Sequence, residues 1–435
     1  MPEKEKIMRP VKRIKGGCFL PHLKDTAELE TVEMTGVETV FIPFSQHIGA
    51  PAKPVVKKGD EVKVGTLIGE AVGAVSAPIH ASVSGTVSKV TDTGIEIKSD
   101  GKMAPDEALA PIEVKEPADL AKAARQCGLV GLGGAGFPTG IKLDVKKKSI
   151  KTLIVNGAEC EPYITSDYRE CMDNYEDVIE GIYLIKKVLG IKRVVICIES
   201  NKKKAIKKLF EIAADKRDTK NRVRVMKLPQ KYPQGAEKVI IYSATGRKLP
   251  LGKLPSDIGC MVMNITSIGT LYRFIKTGMP LVSKRVTVDG TAVPEPKNVI
   301  VPIGTPIKAL LEFVGVDTEQ IGKVLMGGPM MGIALDDINK SVEKRNNGIT
   351  VMKSQIKSET VTPCIRCGRC ASACPMQLYP AMVETAVKLN NTEKIKELNV
   401  NYCMECGCCS YVCPARRPLT QTMRVAKSAL KGEKK

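Results

Sequence analysis

Residues 149–159 read SIKTLIVNGAE, an apolar run that stops at a polar turn. A short apolar run closed by Asn-Gly reads as a strand that ends in a polar loop. The chain then repeats the design. YEDVIEGIYLIKKVLG (175–190) is an amphipathic helix and KRVVICIES (192–200) a second buried strand. NKKKAIKKLFEIAAD (201–215) is another helix, with Asn201 as its expected cap, and RVRVMKLP (222–229) is a third strand. Upstream, PADLAKAARQCG (117–128) has helical spacing and Gly128 as a stop signal. Strands alternating with helices predict a mainly parallel sheet with crossover connections.

The flanks read differently. Between residues 38 and 100, FIPFSQHIGAPAKPVVKKGDEVKVGTLIGEA and SAPIHASVSGTVSKVTDTGIEI are short β-branched runs broken by Gly, Pro and Asp. VKKGDEVKVGTLIG and APIHASVSGTV resemble the two halves of a biotinyl/lipoyl-type barrel-sandwich domain. Such carriers present a modifiable lysine between the halves. Here that turn is EAVGAVSAP (70–78), without lysine, so a structural or docking role is expected. On the other side, KRVTVDGTAVPEPKNVIVPIGTPIKALLEFVG (284–315) reads strand, Asp-Gly turn, strand, helix, as in a small β-grasp-like domain. A looser stretch, MGGPMMGIALDDINKSVEKRNNG, follows it.

The cysteines carry the most specific signal. CIRCGRCASACP places Cys364, Cys367, Cys370 and Cys374 before Pro375, and CMECGCCSYVCP places Cys403, Cys406, Cys409 and Cys413 before Pro414. Both are C-x2-C-x2-C-x3-C-P, the bacterial two-cluster ferredoxin run. Three thiolates two residues apart wrap one face of an iron–sulfur cube, while the fourth, a helical turn away, points to the other cluster. The expected ligand sets are Cys364, Cys367, Cys370 with Cys413, and Cys403, Cys406, Cys409 with Cys374. Cys408 is left over. Between the runs, residues 380–398 have helical character with Met382, Ala386 and Leu389 on one stripe, so a small helical two-cluster ferredoxin domain is expected. The tail KSALKGEKK (427–435) reads as mobile.

Composition narrows the chemistry. Lys and Arg exceed Asp and Glu by 67 − 47 = 20. That basic balance suits nucleic acid, an anionic membrane surface or an acidic protein partner. Trp is absent and aromatics are 4%, which leaves no stacking array for single-stranded nucleic acid. Three histidines make an imidazole-rich site unpromising, whereas 15 cysteines in a chain without a secretory signal argue for metal or redox chemistry. The sequence holds no apolar run long enough for a spanning helix. GLGGAGFPTGIK (131–142) satisfies G-x-G-x-x-G at Gly131, Gly133 and Gly136, but a helix rather than a strand precedes it, unlike the Rossmann fingerprint. Its glycines, Gly134 included, nonetheless expose N–H groups to a phosphate or flat ring, with Lys142 supplying positive charge.

Together, GLGGAGFPTGIK, NGAECEP (156–162), YPQGAEK (232–238) and MNITSIGTL (263–271) resemble the flavin- and NADH-binding subunit of respiratory complex I. With the N-terminal barrel and the two cluster runs added, the order resembles the C subunit of the Rnf complex, the membrane-bound, ion-translocating ferredoxin:NAD oxidoreductase. The resemblance implies a multidomain α/β protein: a lipoyl-like barrel-sandwich domain (1–112), a Rossmann-like FMN/NADH domain (113–280), a β-grasp domain (281–350) and a helical two-cluster ferredoxin domain with a basic tail (351–435). It implies that the loop from Gly131 to Gly136 lies against FMN and NADH, with Phe137 stacked on the nucleotide and Lys142 in contact. It further implies Asn156, Glu159 and Asn264 at FMN, Glu161 at NADH, and Tyr232 and Glu237 at the joint site. Ala158 and Ala236 stand where the complex I pattern has acidic residues.

The implied activity is electron exchange between NAD(H), FMN and two [4Fe–4S] clusters, with no side chain acting as general acid or base. The implied setting is peripheral, on the cytoplasmic side of the bacterial membrane. Integral membrane and iron–sulfur subunits would be its partners, with ferredoxin acting indirectly and no nucleic acid involved. Two alternatives share the architecture: a cobalamin reductase of a bacterial microcompartment, and an iron–sulfur scaffold without flavin.

Overall fold

In the computed structural model, which describes residues 7–214, 222–354 and 360–432, the first two strands leave their neighbourhood to join sheets built much later. β1 (Ile7–Met8) pairs in parallel with Val225–Met226, and β2 (Thr31–Glu33) pairs in parallel with residues 298–300. The next seven strands form the barrel sandwich: β3 (Thr39–Pro43), β4 (Lys53–Pro54), β5 (Glu61–Val62), β6 (Leu67–Glu70), β7 (Ile79–His80), β8 (Gly85–Val90) and β9 (Gly94–Ser99). They make an antiparallel sheet ordered β3-β9-β8-β5 and a second ordered β4-β6-β7. Val40, Ile42, Ile68, Ile79, Val87 and Ile97 are buried in their shared core. Alternation of buried and solvated residues in β3 and β9 is what a half-covered strand requires.

The α/β unit begins with α1 (Pro117–Gln126), entered through Asp119, whose carboxylate accepts the Lys115 and Glu116 N–H groups. It stops at Gly128, which takes the left-handed conformation (φ +64°). There follow α2 (Thr139–Leu143), β10 (Thr152–Gly157), α3 (Ser166–Asp173), α4 (Tyr175–Leu189), β11 (Arg193–Glu199), α5 (Lys203–Ala213), β12 (Val223–Leu228), α6 (Glu237–Thr245), β13 (Cys260–Asn264) and α7 (Ile265–Thr277). The five strands lie β1-β12-β11-β10-β13, every pair parallel. β10, β11 and β12 step outward in one direction; β13 returns to the other side of β10. Such a reversal opens a crevice at the carboxyl ends of the two strands that flank it. Asn201 is not the cap expected of it. α5 starts at Lys203 with Lys202 in the cap position, because the Lys202 side chain turns inward to Glu199 and Ala158 O.

β14 (Ser283–Asp289), β15 (Lys297–Pro302), α8 (Ile307–Phe313), β16 (Ile321–Met326), β17 (Ile333–Ala334) and β18 (Gly348–Lys353) build a mixed sheet ordered β17-β16-β18-β14-β15-β2. The first and last of its own strands, β14 and β18, are central and parallel, flanked by antiparallel β15 and β16. That is the β-grasp order. The C-terminal unit is helical: α9 (Arg369–Ala373), α10 (Pro380–Lys388), α11 (Thr392–Glu397), α12 (Cys408–Tyr411) and α13 (Leu419–Gly432). The expected single helix over 380–398 is two, broken where Asn390 adopts φ +50°. Its buried face is Val383 and Ala386; Met382 and Leu389 are exposed, so the stripe read from the sequence is out of phase with the core. The segment from Lys427 is not a free tail either. It is helical to Gly432 and buries Leu430; residues 433–435 lie outside the described set.

Lys344 pins three of these units. Its side chain is 1% exposed, and its ammonium donates to Pro78 O at 2.6 Å and Gly128 O at 2.8 Å. Burial pulls it down to about 7, an effect that the nearby Cys127 thiol only partly offsets. Between about 7 and the usual lysine range, the unfolded chain therefore holds a proton that the folded chain has released, so this group adds stability as pH rises. The melting-temperature advantage of wild type over Lys344→Met should widen from pH 7 to about 9.5 by calorimetry. A constant gap would show that Lys344 does not titrate there.

Candidate functional site

The crevice at the reversal is edged by two asparagines. Asn156 lies near the end of β10, Asn264 ends β13, and they are direct partners in register. Asn264 caps α7, its Oδ1 accepting Ser267 N–H at 3.2 Å, while its Nδ2 donates to Asp167 at 2.7 Å. Thr266 holds the other Asp167 oxygen at 2.7 Å. Asn156 Nδ2 donates to Gly235 O at 2.8 Å, joining the strand end to the 232–238 turn. Both side chains are thereby fixed before any ligand arrives.

The glycine loop folds over this edge. Gly131 N–H donates to Phe137 O at 2.9 Å, closing the loop on itself, and Leu132 N–H donates to Ser267 Oγ at 3.2 Å. A Cβ on Gly133 would sit 2.6 Å from Asn264 Nδ2, so the loop can approach the strand ends only with glycine there. Gly133, Gly134 and Ala135 are exposed, while Gly136 is buried at φ +72°. What holds the loop from outside has no signature in its own sequence. Lys344 grips Gly128 O, and Ile48 N–H donates to Gly136 O at 3.2 Å from the barrel sandwich. Gln46 couples these two grips by accepting Lys344 N–H at 3.0 Å. SQHIGA of the first domain is thus a wall of the crevice. Phe137 is half-buried at the loop's end. Lys142 donates to Val262 O at 2.9 Å, with its ammonium 3.6 Å from Glu237 at the start of α6.

The turn after β10 holds the other predicted carboxylates, and they point to different partners. Glu159, at φ +48°, accepts Asp167 N–H at 2.6 Å and Tyr168 N–H at 3.3 Å, capping α3. Burial pushes it up to about 7 against the pull of Lys24 and Lys202. Glu161 accepts the N–H groups of Met330 (3.0 Å) and Met331 (2.9 Å), and burial raises it too. MGGPMMG, in sequence no more than a loose stretch, is therefore its cradle; a side chain on Gly328 would collide with the Glu161 carboxylate. Two lysines support the turn. Lys24 donates to Glu159 O (3.1 Å), Glu161 O (2.6 Å) and Ile164 O, and Lys202 donates to Ala158 O at 2.6 Å. Charge-assisted bonds of about 1.5–3 kcal/mol each are needed in numbers to offset a desolvation penalty of several kcal/mol, which is why Lys24 has three acceptors. Neither lysine stands in a motif that could have announced it.

Tyr232 joins the crevice to the cysteine region. It is buried; its hydroxyl donates to Cys406 O at 2.7 Å and lies 3.5 Å from Glu161 Oε1. Beyond it, Cys374, Cys403, Cys406, Cys408 and Cys409 line one cavity with Pro375 and Met423. Four come from the second segment, Cys408 among them, and one from the first, so Cys374 is brought beside Cys403, Cys406 and Cys409. Cys370 is close enough to Cys413 for their charges to interact, and Arg417 feels both Cys364 and Cys413. Cys364 and Cys367 are exposed. Leu378 N–H lies 3.3 Å from Cys374 Sγ and Glu405 N–H 3.3 Å from Cys403 Sγ, contacts of the kind that stabilise thiolate ligands.

Residues 12–104 match the family described as the RnfC barrel sandwich hybrid domain, residues 124–273 the Nuo51 FMN-binding domain, and residues 356–414 the 4Fe-4S dicluster domain. The C subunit of the proton-translocating ferredoxin:NAD(+) oxidoreductase complex of Clostridium ljungdahlii is 39% identical over 408 residues, covering 89% of this chain and 87% of its own. The chain belongs to the RnfC family. Another member, the C subunit of the Na(+)-translocating ferredoxin:NAD(+) oxidoreductase complex of Acetobacterium woodii, is 39% identical over 428 residues, 95% of this chain and 96% of its own. The C subunit of the ion-translocating oxidoreductase complex of Rhodobacter capsulatus is 38% identical over 424 residues, 94% of this chain and 81% of its own. The residues fit FMN in that the exposed backbone of Gly134, with open space around it, lies next to Gly133 and the pre-fixed Asn264. The five cysteines that line one cavity supply the thiolate chemistry a cluster needs.

Two substitutions test the loop's placement. Gly133→Ala forces Asn264 or the loop to move, an overpacking cost of about 1–3 kcal/mol. FMN retention should fall roughly tenfold or more, with iron content unchanged. Ile48→Pro removes the N–H that holds Gly136 O and should weaken flavin binding in the same assay, although residue 48 lies in another domain.

Proposed function

We propose that this chain is the peripheral electron-transfer subunit of a membrane-bound, ion-translocating ferredoxin:NAD oxidoreductase, exchanging electrons between NAD(H), FMN and two [4Fe–4S] clusters. The observation that carries the reading is Tyr232, fixed at once to the carbonyl of the cluster ligand Cys406 and, through the 232–235 turn, to Asn156 at the crevice. A cluster held by Cys374, Cys403, Cys406 and Cys409 is then the inner one, next to the crevice. A cluster held by Cys364, Cys367, Cys370 and Cys413 is the outer one, with two exposed ligands. Bound FMN supplies the exchange between the two-electron chemistry of NAD(H) and the one-electron chemistry of the clusters.

The chain's own groups bind and orient. Asn156 and Asn264 are pre-fixed hydrogen-bonding groups at FMN, and the loop from Gly131 to Gly136 offers N–H groups to it. Phe137 and Glu161 meet the nicotinamide nucleotide, with Lys142 and Glu237 at the opposite wall. Glu159 acts one step back, through α3 and Asp167. No helix among the described residues is long and apolar enough to cross a membrane. In this reading the chain attaches through integral membrane and iron–sulfur partner subunits on the cytoplasmic face, aided by the net charge of +20. The similarity to Rnf proteins over most of the chain favours this reading over a cobalamin reductase.

Anaerobically purified protein should carry about eight iron atoms and about one FMN per chain, bleach with NADH, and co-purify with integral membrane subunits. Protein that retains iron yet neither binds FMN nor oxidises NADH would leave only the scaffold alternative. Cys413→Ala should erase the paramagnetic signal of the outer cluster and spare the inner one. Loss of the inner signal instead would reverse the ligand assignment.

A further inference from the structure

The thiol left over by the ligand runs has a companion. Cys408, at the start of α12, is fully buried, and Cys18 of the N-terminal segment, 4% exposed, packs against the same spot. Cys18 Sγ lies 3.8 Å from Cys408 O, and Cys408 Sγ lies 3.9 Å from Tyr232 O. That same Tyr232 carbonyl accepts Cys18 N–H at 2.8 Å, and Cys18 O accepts Tyr232 N–H at 2.9 Å. The Cys18 thiol thus faces the Cys408 backbone and the Cys408 thiol faces Tyr232 O, with the Cys18 and Cys406 thiols as side-chain neighbours of Cys408 inside an apolar cluster that includes Ala373.

The approach is enforced by the backbone. Gly16 and Gly17 adopt φ +68° and +84°. A Cβ on Gly16 would stand 2.6 Å from the Cys374 carbonyl, and one on Gly17 2.6 Å from Tyr232 O. Gly17 N–H donates to Ala373 O at 2.8 Å. KGGC (15–18) is threaded between the crevice turn and the ligand loop of the inner cluster, with its hydrogen bonds already made. Neighbouring thiols on two separately anchored backbones are the arrangement from which a disulfide forms.

We propose that Cys18 and Cys408 form an oxidation-sensitive dithiol that closes to an intrachain disulfide and ties the N-terminal segment to the inner-cluster loop. The oxidant is a peroxide, the ordinary product of a reduced flavin meeting oxygen, and small enough to reach a buried pair. One thiolate attacks a peroxide oxygen; the O–O bond breaks, leaving a sulfenic acid and, after proton uptake, water. The second thiol attacks the sulfenic sulfur, the S–S bond forms, and the hydroxyl departs with a proton as a second water. In sum, two thiols and one hydrogen peroxide give one disulfide and two waters. The bridge joins positions 390 residues apart, so it closes nearly the whole chain into a loop. It rests on the ligand assignment, in which Cys408 lines the inner-cluster cavity without being one of the four ligands.

Thiol mapping on intact, anaerobically purified protein with its iron in place tests this. Hydrogen peroxide is added stepwise, free thiols are blocked with N-ethylmaleimide, and unreduced peptides are mapped by mass spectrometry while iron is measured in parallel. A linked peptide pair carrying Cys18 and Cys408 should appear before iron is lost. A faster band should accompany it on a non-reducing gel, reversed by dithiothreitol and absent in Cys18→Ser and Cys408→Ser. Recovery of both residues as maleimide adducts or as separate sulfinic acids would overturn the proposal. So would a bridge from Cys408 to Cys160 or Cys406. The wild-type map decides the matter even where a serine variant fails to fold, and the iron measurement reports separately on the cluster reading.

Discussion

The return of β13 to the far side of β10 is the constraint on which the site depends. Crossover connections cover the carboxyl ends of strands that step in one direction, but at a reversal they diverge and leave two strand ends open. Asn156 and Asn264 occupy those ends. Everything else at the site is a way of building walls around an opening that the sheet cannot close. The glycine loop comes down from α1, the 158–164 turn rises from β10, and the 232–238 turn arrives from β12. The sheet reaches two of them through one side chain, Asn156, which donates to Gly235 O and accepts Ala158 N–H.

Lysine ammonium groups on backbone carbonyls hold the glycine loop and the 158–164 turn. Lys24, Lys202 and Lys344 donate to main-chain oxygens of the segments that form the walls. A carboxylate partner would pair more strongly but would fix only another side chain. A lysine bonded to two or three carbonyls fixes the path of the chain itself. The cost is desolvation, visible in the downward displacement of Lys24 to about 8 and Lys344 to about 7. Where a carboxylate lies close as well, at Glu199 beside Lys202, the lysine is instead raised, even against its burial.

Much of this is legible in the sequence, and the boundary of legibility has a physical cause. Periodicity and turn chemistry are local, so the parallel strands, the barrel sandwich, the paired β-grasp strands and the stop at Gly128 can be read directly. The cysteine spacing points to crossed ligand sets because the geometry of a cube restricts where the fourth thiolate can point. Tertiary context decides the rest. Asn201 loses its cap because Lys202 has a better partner indoors. The 380–398 helix breaks at Asn390, which shifts the buried face onto Val383. Lys24, Gln46 and Ile48 are adjacent to the site only after folding, and nothing in their neighbours marks them. Glu159 and Glu161 stand out in the sequence as a pair, yet one caps a helix and the other rests on the N–H groups of Met330 and Met331, a division that spacing cannot express.

β1 and β2 have a further consequence, for the order of assembly. The segment from Ile7 to Glu33 is made long before its partners, Val225–Met226 and residues 298–300. It therefore waits, unpaired, while more than half the chain emerges. Contacts of such sequence separation are slow to form and leave strand edges open in the interval. Each of the two strands is only two or three residues long, too short to template pairing with other chains. The segment that finally laces the domains together is in this sense the last to be placed, and its brevity as strand is what makes the wait safe.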